Sequence, residues 1–347
     1  MQSSFTDLKE IDEALSWLNR YWNKPVQPRY YCPGTVDETV SLLDEFREDA
    51  RIIAGGIDLL GLMKSKVVSP SVLINIKGVR ELNGIHERPE GIDIGSLTTI
   101  DDIEHSDLIK SRIPLLSEIA GSVGSPQVRN MGTLGGNLCQ DVRCWYYRRS
   151  PVTGNSFTCR RKKEGHGCFA INGENENHAI FGEGGCVAVC PSDLAMGLSA
   201  LSATISTVSP AGERIIPIAT FYTGLGHVLE PDEMITHIRI PEVKANARQR
   251  LIKFRVRKAI DFATVSVTSV LTLEGNTVDD ARIILGGVSP VPHEAAKTKK
   301  VLLGERLTED VAEEAAKASV GDAMPLAKNG YKVPMVKALV KRALLDI

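Results

Sequence analysis

The chain has 347 residues, 43% of them hydrophobic and 24% charged, and its formal net charge at pH 7 is −2. This length is too great for one small core, so two or three lobes are expected. The small net charge argues against a general attraction to nucleic acid or anionic lipid, and no run of about 18 apolar residues predicts a membrane span.

Residues 1–28 are predicted to form a helical extension, because apolar side chains recur near helical spacing up to about residue 25. They show no basic segment followed by an apolar stretch, so no signal peptide is expected and the predicted location is a reducing cytoplasm. In that compartment, clustered cysteines are better interpreted as metal ligands or redox groups than as disulfides.

Residues 29–88 are predicted to form a first lobe in which short strands alternate with helices. Two glycines, Gly55 and Gly56, end one buried strand and turn the chain into a helix. The expected elements are a helix over 36–43, a strand over 51–54, a helix over 59–66 and a strand over 72–76.

A second lobe is predicted over 89–245 and a third over 246–347, with a polar joint at 241–248 between them. The expected elements of both are strands over 92–95, 186–189, 203–208, 264–273 and 281–285, and helices over 108–123, 308–319 and 335–345. Between residues 141 and 185 the sequence is polar and poor in aliphatic side chains. A structureless loop of that length is unusual in a compact domain, so its cysteines suggest that a metal organises it.

Two glycine-rich segments could each hold an anion. Ala54-Gly55-Gly56 lies between a strand and a helix, and Gly132 to Asn137 repeats this chemistry about 75 residues later. Glycines let the backbone turn sharply and present its N–H groups to a phosphate. Either segment alone is more often structural, but the pair fits a dinucleotide. Neither is G-x-G-x-x-G and no G-K-[ST] occurs, which disfavours Rossmann and P-loop sites.

Six of the seven cysteines lie between Cys139 and Cys190. Four thiolates can hold an iron–sulfur cluster or a structural zinc ion. The spacing contains no C-x-x-C and matches no common ferredoxin pattern, so iron–sulfur, zinc and free buried thiols all remain open from the spacing alone. The remaining cysteine, Cys32, is interpreted as a small core residue.

Other polar residues give no sign of acid–base chemistry. The seven histidines are scattered singly, and each is interpreted as a surface or capping residue. The basic run at 160–163 is interpreted as a solvated face. The sequence therefore offers redox centres without evident machinery for transforming a substrate.

Taken together, four segments resemble a known flavoprotein family. They are residues 54–60, 95–99, 129–138 and 191–195, and the likeness extends through 286–292 and 325–332. They are similar to the FAD-binding subunit, or medium chain, of molybdenum hydroxylases related to xanthine dehydrogenase and carbon monoxide dehydrogenase. The resemblance runs from about residue 30 to the C-terminus.

This resemblance implies an α+β fold of the vanillyl-alcohol-oxidase/PCMH type, with FAD between two lobes and a C-terminal domain like that of the CO dehydrogenase flavoprotein. It implies one subunit of an oxidoreductase complex, arranged as a dimer of heterotrimers. Partner chains would carry molybdopterin and two [2Fe–2S] clusters. This chain would pass electrons between FAD and an external carrier such as ferredoxin.

The cysteine-rich insertion, at about 140–186, is similar to that of the beta subunit of 4-hydroxybenzoyl-CoA reductase, whose loop carries a [4Fe–4S] cluster. The ligands implied by position are Cys144, Cys159, Cys168 and Cys186. Cys190 is the main rival for the last place, and Cys139 belongs to the flavin loop. Alternatives are the FAD subunit of a xanthine or aldehyde dehydrogenase, an independent FAD oxidase, and a non-enzymatic zinc-binding interaction subunit.

The FAD contacts that the resemblance implies fall on residues 53–59 around the first glycine segment, on the second glycine segment and on three residues outside both. Ile57 departs from the family pattern, which usually has a polar residue there. Core packing is as good an interpretation of Val123 as a flavin contact, and a solvated charge is as good an interpretation of Lys253. The implied contacts are Ile53, Ala54, Gly55, Gly56, Ile57, Asp58, Leu59, Val123, Thr133, Gly135, Gly136, Asn137, Asp193 and Lys253.

Overall fold

The computed structural model of the protein describes residues 27–149, 157–162, 167–182 and 185–346. The predicted N-terminal helix lies outside these residues. Across the described part of the chain, no helix combines the length and the apolar character needed to cross a membrane.

The first lobe contains a three-stranded parallel sheet with the strand order β1-β3-β2. Its core combines the buried strand β3 with helix α1, whose Leu43 faces the sheet. The helices and strands predicted for this lobe are confirmed, with ends shifted by up to three residues. They are β1 (Arg29–Tyr31), α1 (Val36–Phe46), β2 (Ala50–Ile53), α2 (Leu59–Lys64) and β3 (Val72–Asn75).

The second lobe contains a five-stranded antiparallel sheet with the strand order β4-β5-β10-β6-β7. Strand β4 pairs with β5, so the sheet begins before the predicted lobe boundary at residue 89. A small hairpin, β8 with β9, lies beside it. The strands are β4 (Ile85–Arg88), β5 (Gly91–Gly95), β6 (Thr204–Ser209), β7 (Gly212–Pro217), β8 (Tyr222–Thr223), β9 (Gly226–His227) and β10 (Met234–Pro241).

The helices of this lobe cover one face of that sheet and share its largest apolar core. The single helix predicted over 108–123 is wrong, because the chain breaks at Ile113. A proline disfavours the helical conformation of the residue before it, and Pro114 itself starts a new helix. The helices are α3 (Ile100–His105), α4 (Asp107–Arg112), α5 (Pro114–Ser122), α6 (Pro126–Met131), α7 (Leu134–Leu138), α8 (Trp145–Arg148), α9 (Asp193–Ala200) and α10 (Ile218–Phe221).

The C-terminal domain has a four-stranded antiparallel sheet in the order β11-β12-β13-β14, backed by three helices. Helix α9 packs on both β12 and β13 and so joins this domain to the second lobe. The strands and helices predicted here are confirmed. They are β11 (Ala247–Phe254), β12 (Val265–Glu274), β13 (Thr277–Gly286), β14 (His293–Glu294), α11 (Ala296–Leu302), α12 (Glu309–Ala318) and α13 (Lys332–Leu345).

The predicted strand over 186–189 is wrong. The Val187 carbonyl accepts from the Ala179 N–H at 2.8 Å, and the Ala188 N–H donates to the Cys186 sulfur at 3.4 Å. The backbone groups of this segment are thus used within the cysteine-rich loop and not in a sheet ladder.

Candidate cofactor cavity and cysteine centre

A cavity of about 1170 Å³ lies where the two lobes and the C-terminal domain meet. It exceeds the roughly 300–1,000 Å³ of most small-molecule sites, as a dinucleotide requires. Thirteen of the fourteen implied FAD contacts line it. The exception is Ile53, which is 7% exposed and lies in the core.

The two glycine-rich segments pack directly against each other along one wall of this cavity. A Cβ added to Gly55 would lie 1.8 Å from the Met131 carbonyl oxygen, so only glycine allows this approach. The second segment is held by the turn after β5, because Gly135 N–H donates to the Ser96 carbonyl at 2.8 Å and Leu134 N–H to the Thr98 carbonyl at 2.9 Å.

The two segments differ in the backbone donors that they offer. Within the described chain, the N–H groups of Gly56, Ile57 and Asp58 donate to no other protein group. In the second segment, Gly136 N–H donates to the Thr133 hydroxyl and Asn137 N–H to the Thr133 carbonyl. The first segment therefore supplies free donors for an anion, and the second supplies a closely packed platform.

Lys253 of β11 also lines the cavity, and it pairs with Asp193 at the start of α9. The Lys253 ammonium donates to the Asp193 carboxylate at 2.7 Å and to the Ser122 carbonyl at 2.9 Å. Its side chain is only 4% exposed, so the interpretation of Lys253 as a solvated charge is wrong. For Val123, core packing and a place at the cavity are both correct, since it packs in the core of the second lobe and also lines the cavity.

Ser96 is a cavity residue that the predicted contact set omitted. It is 4% exposed, lies beneath Gly135 and has a hydroxyl with no hydrogen-bond partner among the described residues. Buried hydroxyl groups are normally satisfied, so an unpaired one at a cavity wall fits a polar atom of a bound cofactor. Ser96 lies inside the motif at 95–99, and this position could have identified it as a contact residue from the sequence.

Beside this cavity, four of the cysteines lie near one another. Cys159 and Cys168 form an isolated antiparallel bridge, and Cys144, Cys159 and Cys186 pack around one small apolar cluster. Burial raises the pKa of Cys144 to about 11, although the N–H groups of Tyr147 and Tyr146 point at its sulfur and oppose that rise. We call Cys144, Cys159, Cys168 and Cys186 the cysteine centre.

The other cysteines lie elsewhere. Cys190 is 5% exposed and packs with Met196, Ala200 and Ile284, and burial raises its pKa to about 12. Cys139 packs against the core of the second lobe, and burial raises its pKa to about 12 as well. The prediction that Cys32 is a core residue is wrong, because its side chain is exposed.

Two basic side chains near the cysteine centre were misjudged as surface groups. Arg161, in the basic run expected to be solvated, has a side chain only 7% exposed and donates to the Cys186 sulfur at 3.4 Å. His178 is 4% exposed, and its Nε2 lies 3.3 Å from the Cys144 sulfur. Burial and the neighbouring Lys332 lower the pKa of His178 to about 4, so the imidazole is neutral.

Comparisons with known proteins agree with this architecture. Residues 24–243 match the model of the FAD binding domain in molybdopterin dehydrogenase, and residues 250–347 match that of the CO dehydrogenase flavoprotein C-terminal domain. The carbon monoxide dehydrogenase medium chain of Hydrogenophaga pseudoflava is 30% identical, over 92% of this chain and 96% of that one. The aldehyde oxidoreductase FAD-binding subunit of Escherichia coli is 30% identical, over 86% of this chain and 91% of its own.

A solved structure gives the same result for the fold. In carbon monoxide dehydrogenase from Hydrogenophaga pseudoflava, one chain superposes with a TM-score of 0.74 at 28% identity, covering 92% of this chain and 97% of that one. The predicted α+β fold, an FAD-binding part followed by a CO-dehydrogenase-flavoprotein domain, is confirmed. The chain belongs to the family of FAD-binding subunits of molybdenum hydroxylases and is thus a subunit of an oxidoreductase.

Proposed function

We propose that this chain carries a [4Fe–4S] cluster beside its FAD and passes electrons between an external one-electron carrier, such as ferredoxin, and partner subunits. These partners would hold [2Fe–2S] clusters and molybdopterin, in a cytoplasmic complex like 4-hydroxybenzoyl-CoA reductase, built as a dimer of heterotrimers. The observation that carries the proposal is the position of the cysteine centre. Arg161 donates to the Cys186 sulfur of this centre and also lines the FAD cavity.

The FAD cavity has donors where a dinucleotide needs them. We assign the pyrophosphate to the unpaired N–H groups of Gly56, Ile57 and Asp58, because successive backbone donors at a turn can hold an anion without any side-chain charge. Since these are backbone groups, the apolar side chain of Ile57 does not prevent its contribution. The Ser96 hydroxyl and the Asp193 carboxylate would give polar contacts deeper in the cavity.

The cysteine centre suits a cluster better than a single zinc ion. No three of its sulfurs lie within 4.8 Å of one another in the described structure. Tetrahedral zinc, with Zn–S bonds of about 2.3 Å, would hold its sulfurs roughly 3.8 Å apart. A four-iron cluster joins more widely separated sulfurs, and N–H groups directed at those sulfurs tune its potential. Arg161 and Ala188 direct such groups at Cys186.

When bound, FAD supplies one- and two-electron transfer and a [4Fe–4S] cluster supplies one-electron transfer. The chain holds both groups in fixed positions and excludes water between them. Val142 and Tyr147 are buried between the cysteine centre and the cavity, and both pack in the apolar cluster that contains Cys144. Such a wall gives electrons a short path through packed protein.

A second candidate is the FAD subunit of an aldehyde or xanthine dehydrogenase. It is favoured by the relative named as an aldehyde oxidoreductase FAD-binding subunit. Both candidates give this chain the same electron-carrying role, because the substrate would bind on the partner that holds molybdopterin. They differ in the carrier that exchanges electrons with the purified complex.

The experiment is an anaerobic spectrum of the complex before and after dithionite. We expect flavin absorbance near 450 nm to bleach together with a broad iron–sulfur absorbance that exceeds the contribution of the partner clusters. Replacing dithionite by a reduced ferredoxin-type carrier should give the same bleaching for the reductase-like candidate, and NADH should not. Zinc in place of iron, with only flavin bleaching in this chain, would contradict the proposal.

A further inference from the structure

We propose that Arg161 couples the cysteine centre to the FAD cavity and raises the reduction potential of the cluster. This inference depends on the proposed function, since it requires a cluster at the cysteine centre. It concerns a positioning residue that sequence analysis placed on the surface.

The guanidinium of Arg161 is fixed by three acceptors in three directions. Its Nε donates to the Cys186 sulfur at 3.4 Å, its Nη1 to the Asp141 carboxylate at 3.0 Å and its Nη2 to the Gly224 carbonyl at 3.3 Å. Because the donors of a guanidinium form a rigid planar fork, an arginine held at three points cannot turn away from the sulfur.

Arg161 also faces the FAD cavity. It belongs to the residues that line it, together with its acceptor Asp141 and the neighbouring Lys162. The helical turn Arg160–Lys162 follows Cys159 directly, and Lys162 N–H donates back to the Cys159 carbonyl at 2.9 Å. The backbone that positions a ligand cysteine therefore also positions this cation between the two proposed cofactors.

The partly buried network around Arg161 carries an excess of positive charge. Asp58 accepts from Arg143 at 2.9 Å and from Arg148 at 2.7 Å. Asp141 accepts from Arg161. Three guanidinium groups thus face two carboxylates, which leaves one positive charge to be balanced by the cysteine centre or by a cofactor.

A fixed cation bonded to a ligand sulfur has a predictable effect on electron affinity. Each electron that enters the cluster adds negative charge beside Arg161. Inside a protein, where the effective dielectric constant is far below that of water, a nearby fixed cation stabilises the reduced form. The N–H···S bond to Cys186 acts in the same direction, because hydrogen bonds to ligand sulfurs raise cluster potentials.

The test compares Arg161→Met and Arg161→Lys with Arg160→Met in the purified complex. Arg160 provides the matched control, since it loses the same charge from the same turn, but its Nη1 donates to the Gly185 carbonyl and not to a sulfur. Anaerobic redox titrations would follow the cluster by EPR and the flavin by visible absorbance, with iron and FAD contents measured in parallel.

We expect Arg161→Met to lower the cluster potential, with at least a tenfold smaller equilibrium constant for its one-electron reduction, which corresponds to 59 mV. Arg161→Lys should shift the cluster potential less, and Arg160→Met should leave it unchanged. An unshifted cluster potential in Arg161→Met with full cofactor content would overturn the inference, as would an equal shift in Arg160→Met.

If Arg161→Met alone loses iron, Arg161→Lys becomes the test. Its cluster potential must then be lower than that of the unchanged protein. Loss of iron from both variants with FAD retained would also overturn the tuning role, because Arg161 would then be needed for assembly. Failure of the proposed function is a separate result. It would be seen as the absence of a cluster from this chain in the unchanged protein.

Discussion

The replacement Gly55→Ala tests the contact between the two glycine-rich segments. A Cβ at this position would lie 1.8 Å from the Met131 carbonyl oxygen and 2.7 Å from the Met131 carbonyl carbon. Both atoms belong to the backbone, so no side-chain rotation can relieve the overlap. The segments must separate instead.

The size of that separation follows from the contact distance. Ordinary van der Waals contact for an added Cβ begins at 3.4 Å, so the backbones must move apart by about 1.6 Å. In catalysis, a displacement of about 1 Å can lower the rate roughly a hundredfold, and we take a loss of the same size for a cofactor held by close backbone contacts. We therefore expect the FAD dissociation constant to rise by about a hundredfold or more. Overpacking should also lower the free energy of unfolding by about 1–3 kcal/mol.

The assay is the FAD content per chain after desalting, together with an FAD titration and a thermal unfolding curve. Gly61→Ala is the matched control, because its Cβ would meet nothing within 4 Å and the residue lies in helix α2. That variant should retain FAD and gain about 0.5–1 kcal/mol of stability from its helix propensity. Normal FAD affinity in Gly55→Ala would refute the reasoning.

Three further replacements test other parts of the site. Lys253→Met should weaken FAD binding and lower the free energy of unfolding by about 3 kcal/mol. The reason is that the Asp193 carboxylate loses its partner in a pair whose side chains are only 4% and 12% exposed. Equal stability of the variant and the unchanged protein in urea unfolding would contradict this. Ser96→Ala should raise the FAD dissociation constant about fivefold. It should leave the melting temperature of the FAD-free protein unchanged or higher, since the Ser96 hydroxyl has no partner among the described residues. A lower melting temperature would show that the hydroxyl makes a structural hydrogen bond instead. In protein from which the cluster has been removed, the His178 pKa, lowered to about 4 by burial and Lys332, predicts that stability falls by about 3 kcal/mol as the pH drops from 6.5 to 4, because only the unfolded chain protonates in that range. His178→Gln should abolish this part of the pH dependence in unfolding experiments.

Elements with a regular apolar period were predictable from the sequence. Strand β12 is buried along nearly its whole length and follows from a continuous apolar run, whereas helix α13 buries one face and follows from its helical period. The break at Ile113 shows where a local rule was overlooked, since the proline that follows it is visible in the sequence.

The cavity was predictable from motifs, but the direction of side chains inside it was not. Lys253 and Arg161 are both charged, and composition alone places such residues in solvent. Each is buried because a partner distant in the chain meets it, Asp193 for Lys253 and Asp141 together with Cys186 for Arg161. Tertiary contacts of this kind leave no periodic pattern in the sequence.

The distinction between Cys186 and Cys190 illustrates the same limit. The two residues are four positions apart, and their spacing to the other cysteines cannot separate them. In the fold, Cys186 accepts hydrogen bonds beside Cys144 and Cys159, whereas Cys190 packs with Met196 and Ile284. The segment between them bends at Ala188 and directs the two sulfurs into different surroundings.

The central claim is that this chain holds a four-iron cluster on the wall of its FAD cavity. The most direct measurement is the iron and acid-labile sulfide content of the anaerobically prepared complex, for the unchanged protein, Cys168→Ser and Cys190→Ser. We expect Cys168→Ser to contain about four fewer iron atoms and four fewer sulfides per chain while FAD is retained, and Cys190→Ser to lose none. Equal iron in all three proteins, or zinc bound at the cysteine centre, would contradict the account.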